Sequence, residues 1–272
     1  PNLVLHLNHL GHDLTSVVTH AAVVRPILDF VLIALDGRGS VVVGDAPLQS
    51  CNFDQVVARS GVGPLVQFYR SRGFPVELRD FRLVTSRDGL YPEPRRASAG
   101  DQAGFAVVDL GQASCHHGAD WERFRVTNYD PGFMARHHAG GHHQYVVARS
   151  ILDADVVINV PKLKTHRKVG MTCCLKNLVG INGHKDCLPH HKRGSVGERG
   201  DEYLHRSRAK DLHVSIIEAQ DRSESNLLRL ALQLPKALTH ALARRLARDR
   251  YFEGSWYGND TLWRTLVDLN RI

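Results

Sequence analysis

The feature that most constrains the fold is the stretch 155–185, in which an apolar run is followed by basic residues. Residues 156–160 read as a buried strand, and the segment 161–166 that follows carries two lysines and a histidine. A second polar pair, Lys176 and Asn177, comes ten residues after His166. Open α/β proteins bind their ligands at the carboxyl ends of strands. The stretch therefore predicts an α/β fold whose ligand site lies here.

Helix-like and strand-like patterns alternate along the chain. The predicted helices cover residues 16–35, 52–59, 63–72, 143–152 and 169–180. The predicted strands cover residues 40–43, 75–78, 105–110, 124–127 and 156–160. Repeated helix–strand steps favour a largely parallel sheet flanked by helices. We predict that α/β fold, followed by a basic C-terminal part that is rich in helices and loops.

Three segments outside these elements have a distinct composition. Residues 85–102 are rich in Arg, Pro, Ser and Gly and predict a surface loop. Residues 190–210 are polar and glycine-interrupted and predict a mobile loop. Residues 226–251 have a basic amphipathic pattern that predicts a helical insertion broken at Pro235. Packing of that insertion on the core is preferred to a second interpretation, a helix on a membrane surface.

Several classes of protein are disfavoured. No apolar run reaches the roughly 18 to 20 residues that cross a bilayer, so no membrane span is predicted. The first residues lack the pattern of a secretory signal, which predicts a cytoplasmic protein. The five cysteines form no CxxC pair, which argues against a disulfide framework or an iron–sulfur cluster. The sequence specifies no cofactor and leaves the oligomeric state open.

The net charge of +7 is compatible with an acidic partner, although a solvated helix face or loop explains the basic runs 193–208 and 236–250 at least as well. Nucleic acid is one candidate, and a phosphorylated or carboxylated small molecule is another. Nucleic-acid binding is disfavoured because the basic stretch 193–208 contains a single aromatic residue, Tyr203, on which bases could stack. An anionic small-molecule substrate is the preferred partner.

Lys162, Lys164 and His166 alternate with apolar and neutral residues. If the strand geometry persists, the three side chains share one face and form an anion site. His166 is also the candidate acid–base residue. In the structural alternative the lysines extend into solvent from a strand end.

Further polar residues extend this candidate site. Lys176 lies within an apolar run, so it needs water, a partner or a ligand, or it occupies the exposed face of its helix. Asp45 follows a strand and is a candidate base or substrate anchor, with a turn before Pro47 as the alternative. The substrate-binding candidates, beyond the lysines already named, are Asn177, Asn182, Lys185, Asn259 and Asp260.

No metal site is assigned, because neither HExxH nor paired CxxC spacing occurs. His138 and His142 have the i, i+4 spacing of one helix face, which keeps zinc or iron possible if that segment is helical. Surface histidine-rich loops are the preferred interpretation.

The runs INVPKLKTH (residues 158–166) and CLKNLVGINGHK (residues 174–185) resemble the domain of unknown function 362 family, DUF362. Residues 1–4, 43–47, 254–261 and 268–271 also agree with it. The resemblance implies one domain over residues 1–272, cut at both ends, without the family's N-terminal strand and C-terminal glycine-rich segment. Some relatives carry 4Fe–4S clusters, but the CxxCxxC spacing that these need is absent here. The resemblance implies no reaction.

Asn259 and Asp260 precede a predicted helix that starts near Thr261. Either residue can cap that helix, whose first amides form a natural anion cradle. Capping alone is the simpler interpretation for either residue taken singly.

The preferred hypothesis is an α/β enzyme that binds an anionic small molecule. Lys162, Lys164 and Lys176 would neutralise the anion, while Asp45 and Asn177 would orient it. One alternative is a non-catalytic protein that binds nucleic acid or another polyanion. Another is a metal-dependent redox accessory protein related to the iron–sulfur members of the family. The reaction class stays open.

Overall fold

The computed structural model describes residues 1–87, 93–127 and 129–272. The α-helices are α1 (Ala21–Leu35), α2 (Phe53–Arg59), α3 (Val62–Arg70), α4 (Pro131–His138), α5 (Arg149–Leu152), α6 (Cys174–Asn177), α7 (Arg208–Arg222), α8 (Asn226–Ala231), α9 (Gln233–Leu246) and α10 (Leu262–Leu269). The strands are β1 (Val41–Asp45), β2 (Val76–Asp80), β3 (Val84–Arg87), β4 (Glu93–Ala97), β5 (Phe105–Asp109), β6 (Phe124–Arg125), β7 (Gln144–Ala148), β8 (Lys164–His166), β9 (Gly170–Thr172) and β10 (His191–Lys192).

The first core forms around the parallel pair β1 and β2, whose register runs from Val41 opposite Val76 to Asp45 opposite Asp80. Side chains from α1, α2 and α3 pack on these strands and include the buried Leu28, Val56 and Val66. Burial of a side chain of this size stabilises the fold by about 1.5–3 kcal/mol. The predicted helices and strands of this region are confirmed to within a few residues at most ends.

A second core joins β7, the segment 178–188 and α10. Its buried members are Tyr145, Val147, Ile181, Leu188 and Leu269. The amide of Ala46, directly after β1, donates to the carbonyl of Gly180 at 2.8 Å and so links the two cores. The carboxyl end of β1 therefore lies against the segment that carries the second half of the candidate site.

The α/β class is confirmed, but the sheet is parallel only in part. Within the described ranges the other strand pairs, β3–β4, β5–β7, β6–β10 and β8–β9, are antiparallel. The predicted helix over 143–152 is wrong in its first half, which forms β7 and pairs with β5. A short apolar run such as QYVVA fits a strand and a buried helix equally well, and the facing β5 decides between them.

The predicted strand over residues 156–160 is also wrong. The segment forms no helix or strand and pairs with no strand in the described part of the chain. Val156 is 75% exposed, and Val157 and Ile158 are about half exposed. The β-branched composition favours an extended backbone wherever it lies, whereas a strand also needs a neighbour with free backbone groups. The basic loop therefore does not follow a buried strand.

The predicted helix over 169–180 divides into three short elements. Residues 170–172 form β9, Cys174–Asn177 form α6, and a 3₁₀ turn covers Leu178–Ile181. The hairpin of β8 with β9 takes the first residues out of the helix. This arrangement moves Lys176 into the first turn of a short helix.

Residues 85–102, predicted as a surface loop, include the paired strands β3 and β4. The part of that prediction that covers residues 88–92 lies outside the described residues. The 190–210 segment contributes β10 and several buried residues, among them Glu202 and Tyr203. Its predicted mobility stays a prediction.

The basic insertion over 226–251 forms α8 and α9, and α9 packs along α7. Among the described residues, no helix combines the length and the hydropathy needed to cross a membrane.

Candidate functional site

The hairpin of β8 and β9 presents the first two site residues. Lys164 pairs with Thr172, and His166 pairs with Gly170. Lys164 and His166 are half-buried, whereas Thr165 between them is exposed. The predicted alternation therefore places Lys164 and His166 on the same, inner face of the hairpin. Lys162 is half-buried just before the hairpin.

Lys164 is fixed by two oxygen atoms. Its Nζ donates to Asn2 Oδ1 at 2.8 Å and to the carbonyl of Val17 at 2.5 Å. Burial lowers the pKa of Lys164 to about 8, and the charge of Lys162 lowers it further while Asp45 opposes the shift. Lys162 is thus close enough to act on Lys164 electrostatically.

Lys168 and Lys176 are two further cations of this region. Burial lowers the pKa of each to about 8. The charges of Glu253, Glu202 and Asp201 act on Lys168 against the lowering of its pKa. The charges of Lys164 and Lys168 lower the pKa of Lys176 further. Within the described ranges, neither Nζ has a hydrogen-bond acceptor or a carboxylate within 4.0 Å. Two ammonium groups are therefore withdrawn from water without a direct partner.

His166 is neutral and has a defined tautomer. Its Nδ1 accepts the amide hydrogen of Lys168 at 3.2 Å, so the ring proton is on Nε2. Burial lowers the pKa of His166 to about 3, and the charges of Lys176, Lys168 and Lys164 contribute to the shift. The ring supplies a neutral N–H donor beside several cations.

His190 is the complementary ring. Its Nδ1 donates to the carbonyl of Leu188 at 2.7 Å, which leaves a lone pair on Nε2. Burial lowers the pKa of His190 far below its ordinary value, and the charges of Lys168 and Lys176 lower it further. We call Lys164, His166, Lys168, Lys176 and His190 the lysine–histidine cluster.

Asp45 lies beneath this cluster and is only 4% exposed. Its Oδ2 accepts the amide hydrogen of Leu3 at 2.5 Å. A Cβ atom at position 180 would lie 1.9 Å from Asp45 Oδ1, so glycine is needed at Gly180 for this approach. Burial raises the pKa of Asp45. The carboxylate is an internal countercharge, and its charge acts on Lys164 and Lys176.

Lys185 is buried on the same side as Asp45. Its Nζ donates to the carbonyl of Val179 at 2.5 Å. Burial lowers the pKa of Lys185 to about 7, while the charge of Asp45 acts in the opposite direction. At 4% exposure this lysine lies behind the cluster rather than at its surface.

Asn177 and Asn182 hold backbone segments together. Asn177 Oδ1 accepts from Asn2 Nδ2 at 2.9 Å, and Asn177 Nδ2 donates to Asn159 Oδ1 at 2.8 Å. Asn182 is fully buried, and its Oδ1 accepts the amide hydrogen of His184 at 3.2 Å. Both amides therefore already have protein partners.

Asn259 lies at the start of α10 and is also joined to the cluster. Its Oδ1 accepts from the amides of Thr261, the N-cap residue of α10, and of Leu262, the first helical residue, at 3.1 and 2.9 Å. Its Nδ2 donates to the carbonyl of His190 at 2.9 Å. Asn259 thereby joins the start of the helix to the backbone of His190.

Asp260 points to other cations. Its carboxylate pairs with Arg264 at 3.1 Å and with Lys192 at 3.5 Å, and it accepts from the indole N–H of Trp263. The cluster lysines are not among these partners. The structure thus brings Lys164, His166 and Lys176 together over Asp45 and places Asp260 in a separate ion-pair group.

Sequence reasoning missed Lys168 and His190. Lys168 continues the alternation of Lys164 and His166 by one more step, so its position was a usable signal. His190 lies 24 positions beyond His166 and is brought in by the fold. No local pattern marks it.

The histidines considered for metal binding are arranged differently from the prediction. Helix α4 ends at His138, so His138 and His142 do not share a helix face. His138 is buried and bonds to His143 Nδ1 at 3.1 Å and to the carbonyl of Cys187 at 2.9 Å. His142 pairs with Asp109. Among the described residues, no three His, Cys, Asp or Glu side chains are grouped to hold a metal ion.

Comparison with known proteins identifies one family. The sequence profile described as "Domain of unknown function (DUF362)" matches residues 97–271. The thylakoid-associated protein sll1697 from Synechocystis sp. is 41% identical over 59 residues. That match covers 21% of this chain and 18% of the relative. No solved structure matches the chain.

Proposed function

This chain belongs to the DUF362 family, and we propose that it is an enzyme that binds an anionic small molecule at the lysine–histidine cluster. The observation that carries the proposal is the pair Lys168 and Lys176, which are withdrawn from water without a carboxylate at ion-pair distance in the described part of the chain. A phosphate or carboxylate group supplies the missing negative charge.

Desolvation of the two ammonium groups favours the binding of an anion. Taking an ammonium group out of water without a partner costs free energy, and the depressed pKa values of Lys168 and Lys176 express that cost. A bound oxyanion would accept charge-assisted hydrogen bonds from both groups. Ligand binding would then recover part of the free energy that the desolvation of these two lysines costs on folding.

The two histidines give the anion site one hydrogen-bond donor and one hydrogen-bond acceptor. His166 Nε2 carries a proton, whereas His190 Nε2 carries a lone pair. One ring would donate to an anion oxygen, and the other would accept from a hydroxyl or amine of the same molecule. A bound negative charge would also raise the pKa of His166 from about 3 toward the range in which it exchanges protons near neutral pH.

We assign the other predicted residues supporting parts in this proposal. Lys162 would contribute long-range attraction, and Asp45 would balance the cluster from below and keep its lysines in position. Asn177, Asn182, Lys185 and Asn259 would support the segments that carry the cluster. Asp260 would take no direct part.

The test is a thermal-shift titration with phosphorylated and carboxylated metabolites, starting with pyrophosphate and citrate. Lys176→Met should weaken binding of the stabilising anion at least tenfold. Lys236→Met is the matched control, because Lys236 is also half-buried but bonds to Gln220 on α7. Lys236→Met should bind the anion like the wild type. If no anion stabilises the wild type, or if Lys176→Met binds equally well, the proposal is wrong.

His166→Ala adds a test of the histidine. This variant should lose affinity or turnover while its unfolding temperature stays near that of the wild type. Lys164→Ala is a less selective probe, because Lys164 also holds Asn2 and Val17. Unchanged binding in both variants would remove them from the site.

Salt dependence separates this proposal from binding of nucleic acid. A metabolite held by a few buried cations should lose little affinity between about 50 and 200 mM salt. Over the same range the affinity of a typical protein for a polyanion falls by a factor of about 10³–10⁵. A steep loss for single-stranded DNA, together with no captured metabolite, would favour the polyanion alternative.

A further inference from the structure

A row of exposed leucines runs along α8 and α9. Its members recur every four residues and so lie on successive helical turns. They are Leu230, Leu234, Leu238, Leu242 and Leu246, with exposed fractions of 45, 68, 61, 44 and 64%. We call these residues the leucine stripe. One exposed leucine is ordinary, but a continuous row of large apolar side chains indicates a surface that meets another apolar phase.

The stripe is not the face by which α9 packs on the protein. That face is formed by small and polar side chains: Ala243 is fully buried, Thr239 Oγ1 contacts His213 of α7 at 3.2 Å, and Lys236 bonds to Gln220 of α7. The contacts of α9 with the fold are therefore complete without the leucines.

The charge around the stripe is of one sign. Residues 225–248 contain five basic residues and no aspartate or glutamate. Arg244, Arg245 and Arg248 are exposed at the end of α9 and just beyond it. Of the acidic residues that flank this range, Glu224 is exposed just before α8, at the far end from the three arginines, and Asp249 is buried against Lys210. An apolar row beside exposed arginines fits a partner surface whose outer layer is negatively charged and whose interior is apolar.

We propose that the leucine stripe lies on an anionic lipid bilayer surface, with the leucines among the acyl chains and the arginines at the phosphates. Helix α9 has 14 residues and a length of about 21 Å, which is too short to cross a hydrocarbon core of about 30 Å. It therefore lies in the plane of the interface. A second copy of the same stripe fits less well, because residues 225–248 of that copy offer no carboxylate to the exposed arginines.

The experiment is co-sedimentation of the full chain with two kinds of vesicle, phosphatidylcholine alone and phosphatidylcholine with about one third phosphatidylglycerol. The phosphatidylglycerol gives the second kind a negative surface potential, which attracts basic segments. The wild type should bind the anionic vesicles and leave the neutral ones. The double variant Leu234→Asp with Leu238→Asp should reduce the partition coefficient at least tenfold. The triple variant with Arg244, Arg245 and Arg248 each changed to Gln should reduce it by a similar factor.

The matched control is Phe30→Asp with Ile33→Asp. These residues lie on α1, and both are 73% exposed. This control should bind vesicles like the wild type. Thermal unfolding of each variant checks that it is folded.

Three outcomes would overturn the proposal. The wild type could ignore anionic vesicles, or the Leu234→Asp and Leu238→Asp variant could bind them equally well. The third is self-association of the wild type without vesicle binding, abolished by the same double change, which would assign the stripe to a second copy of the chain.

Discussion

Two regions of this protein bury lysine in opposite ways. Lys210 on α7 is fully buried, and its Nζ donates to the Asp249 carboxylate and to the carbonyl of Tyr251 at 2.7 Å. The rings of Tyr203 and Phe252 lie 4.8 and 4.9 Å from the same nitrogen. Each of these neighbours makes an attractive contact with the ammonium group. Lys210 therefore has a structural role, because the fold itself supplies its partners.

Lys168 and Lys176 are buried to a lesser extent and have none of these partners within the described residues. The charges of Lys164 and Lys168 oppose that of Lys176, while Lys168 is acted on by Glu253 and, in the opposite direction, by Arg167. The difference teaches that burial of a lysine does not by itself indicate structure or function. The partners decide: a paired lysine stabilises the fold, and an unpaired one is free to hold a ligand.

The largest expected effect is at the paired lysine. Lys210→Met leaves the Asp249 carboxylate buried without its cation, so we expect a loss of about 3–5 kcal/mol in the free energy of unfolding, measured by urea denaturation. Lys236→Met, which removes a single hydrogen bond to Gln220, is the control. A loss below about 1 kcal/mol would break the comparison, because Lys210 would then be no more structural than Lys176.

The next effect concerns the countercharge beneath the cluster. Gly180→Ala would place a Cβ atom against Asp45 Oδ1, so the segment or the carboxylate must move. We expect a loss of about 1–3 kcal/mol in the free energy of unfolding and weaker anion binding. Gly197→Ala is the control, since a Cβ atom there meets no atom within 4 Å. Equal stability of the two variants would show that the contact between residues 45 and 180 is not tight.

A third effect is the pH dependence of ligand binding. An anion at ten times its Kd stabilises the fold by about 1.4 kcal/mol. The pKa values of Lys164, Lys168 and Lys176 are lowered to about 8, so these groups are charged below that pH and neutral above it. Stabilisation by sulfate, whose charge is constant, should therefore fall as the pH rises from 7 to 9.5. Constant stabilisation in a thermal-shift series over this range would contradict the assignment.

The smallest effect is on stability at the unpaired lysine. Lys176→Met removes no hydrogen bond or ion pair that the described residues provide, so the free energy of unfolding should stay within about 0.5 kcal/mol of the wild type or rise. Urea denaturation without ligand measures it. A loss as large as that of Lys210→Met would reveal a structural partner and end the distinction between the two regions.

Local pattern was sufficient for the N-terminal part of the fold. Helices α1, α2 and α3 and strands β1 and β2 follow from apolar periodicity, because each buries one face against its neighbours in sequence. It was insufficient for residues 156–160, whose valines and isoleucine suit a buried strand but lie exposed. Whether an extended segment becomes a strand depends on a partner far away in sequence.

The candidate site divides in the same way. Alternation along β8 correctly indicated that Lys164 and His166 share a face, since that is a local property of a strand. The burial of Asp45 depends on its contact with Gly180, and the presence of His190 depends on its backbone bond to Asn259. Contacts of this kind join residues that are distant in sequence and leave no trace in its periodicity.

The hydrogen bonds of Asn2 join residues that are far apart in the sequence. Asn2 bonds to Lys164, 162 positions away, and to Asn177, 175 positions away. Closing loops of this length is entropically costly. A chain in which these loops are still open would lack the two Asn2 bonds that hold Lys164 and Asn177. The first residues of the domain therefore help to set the position of side chains more than 160 residues away.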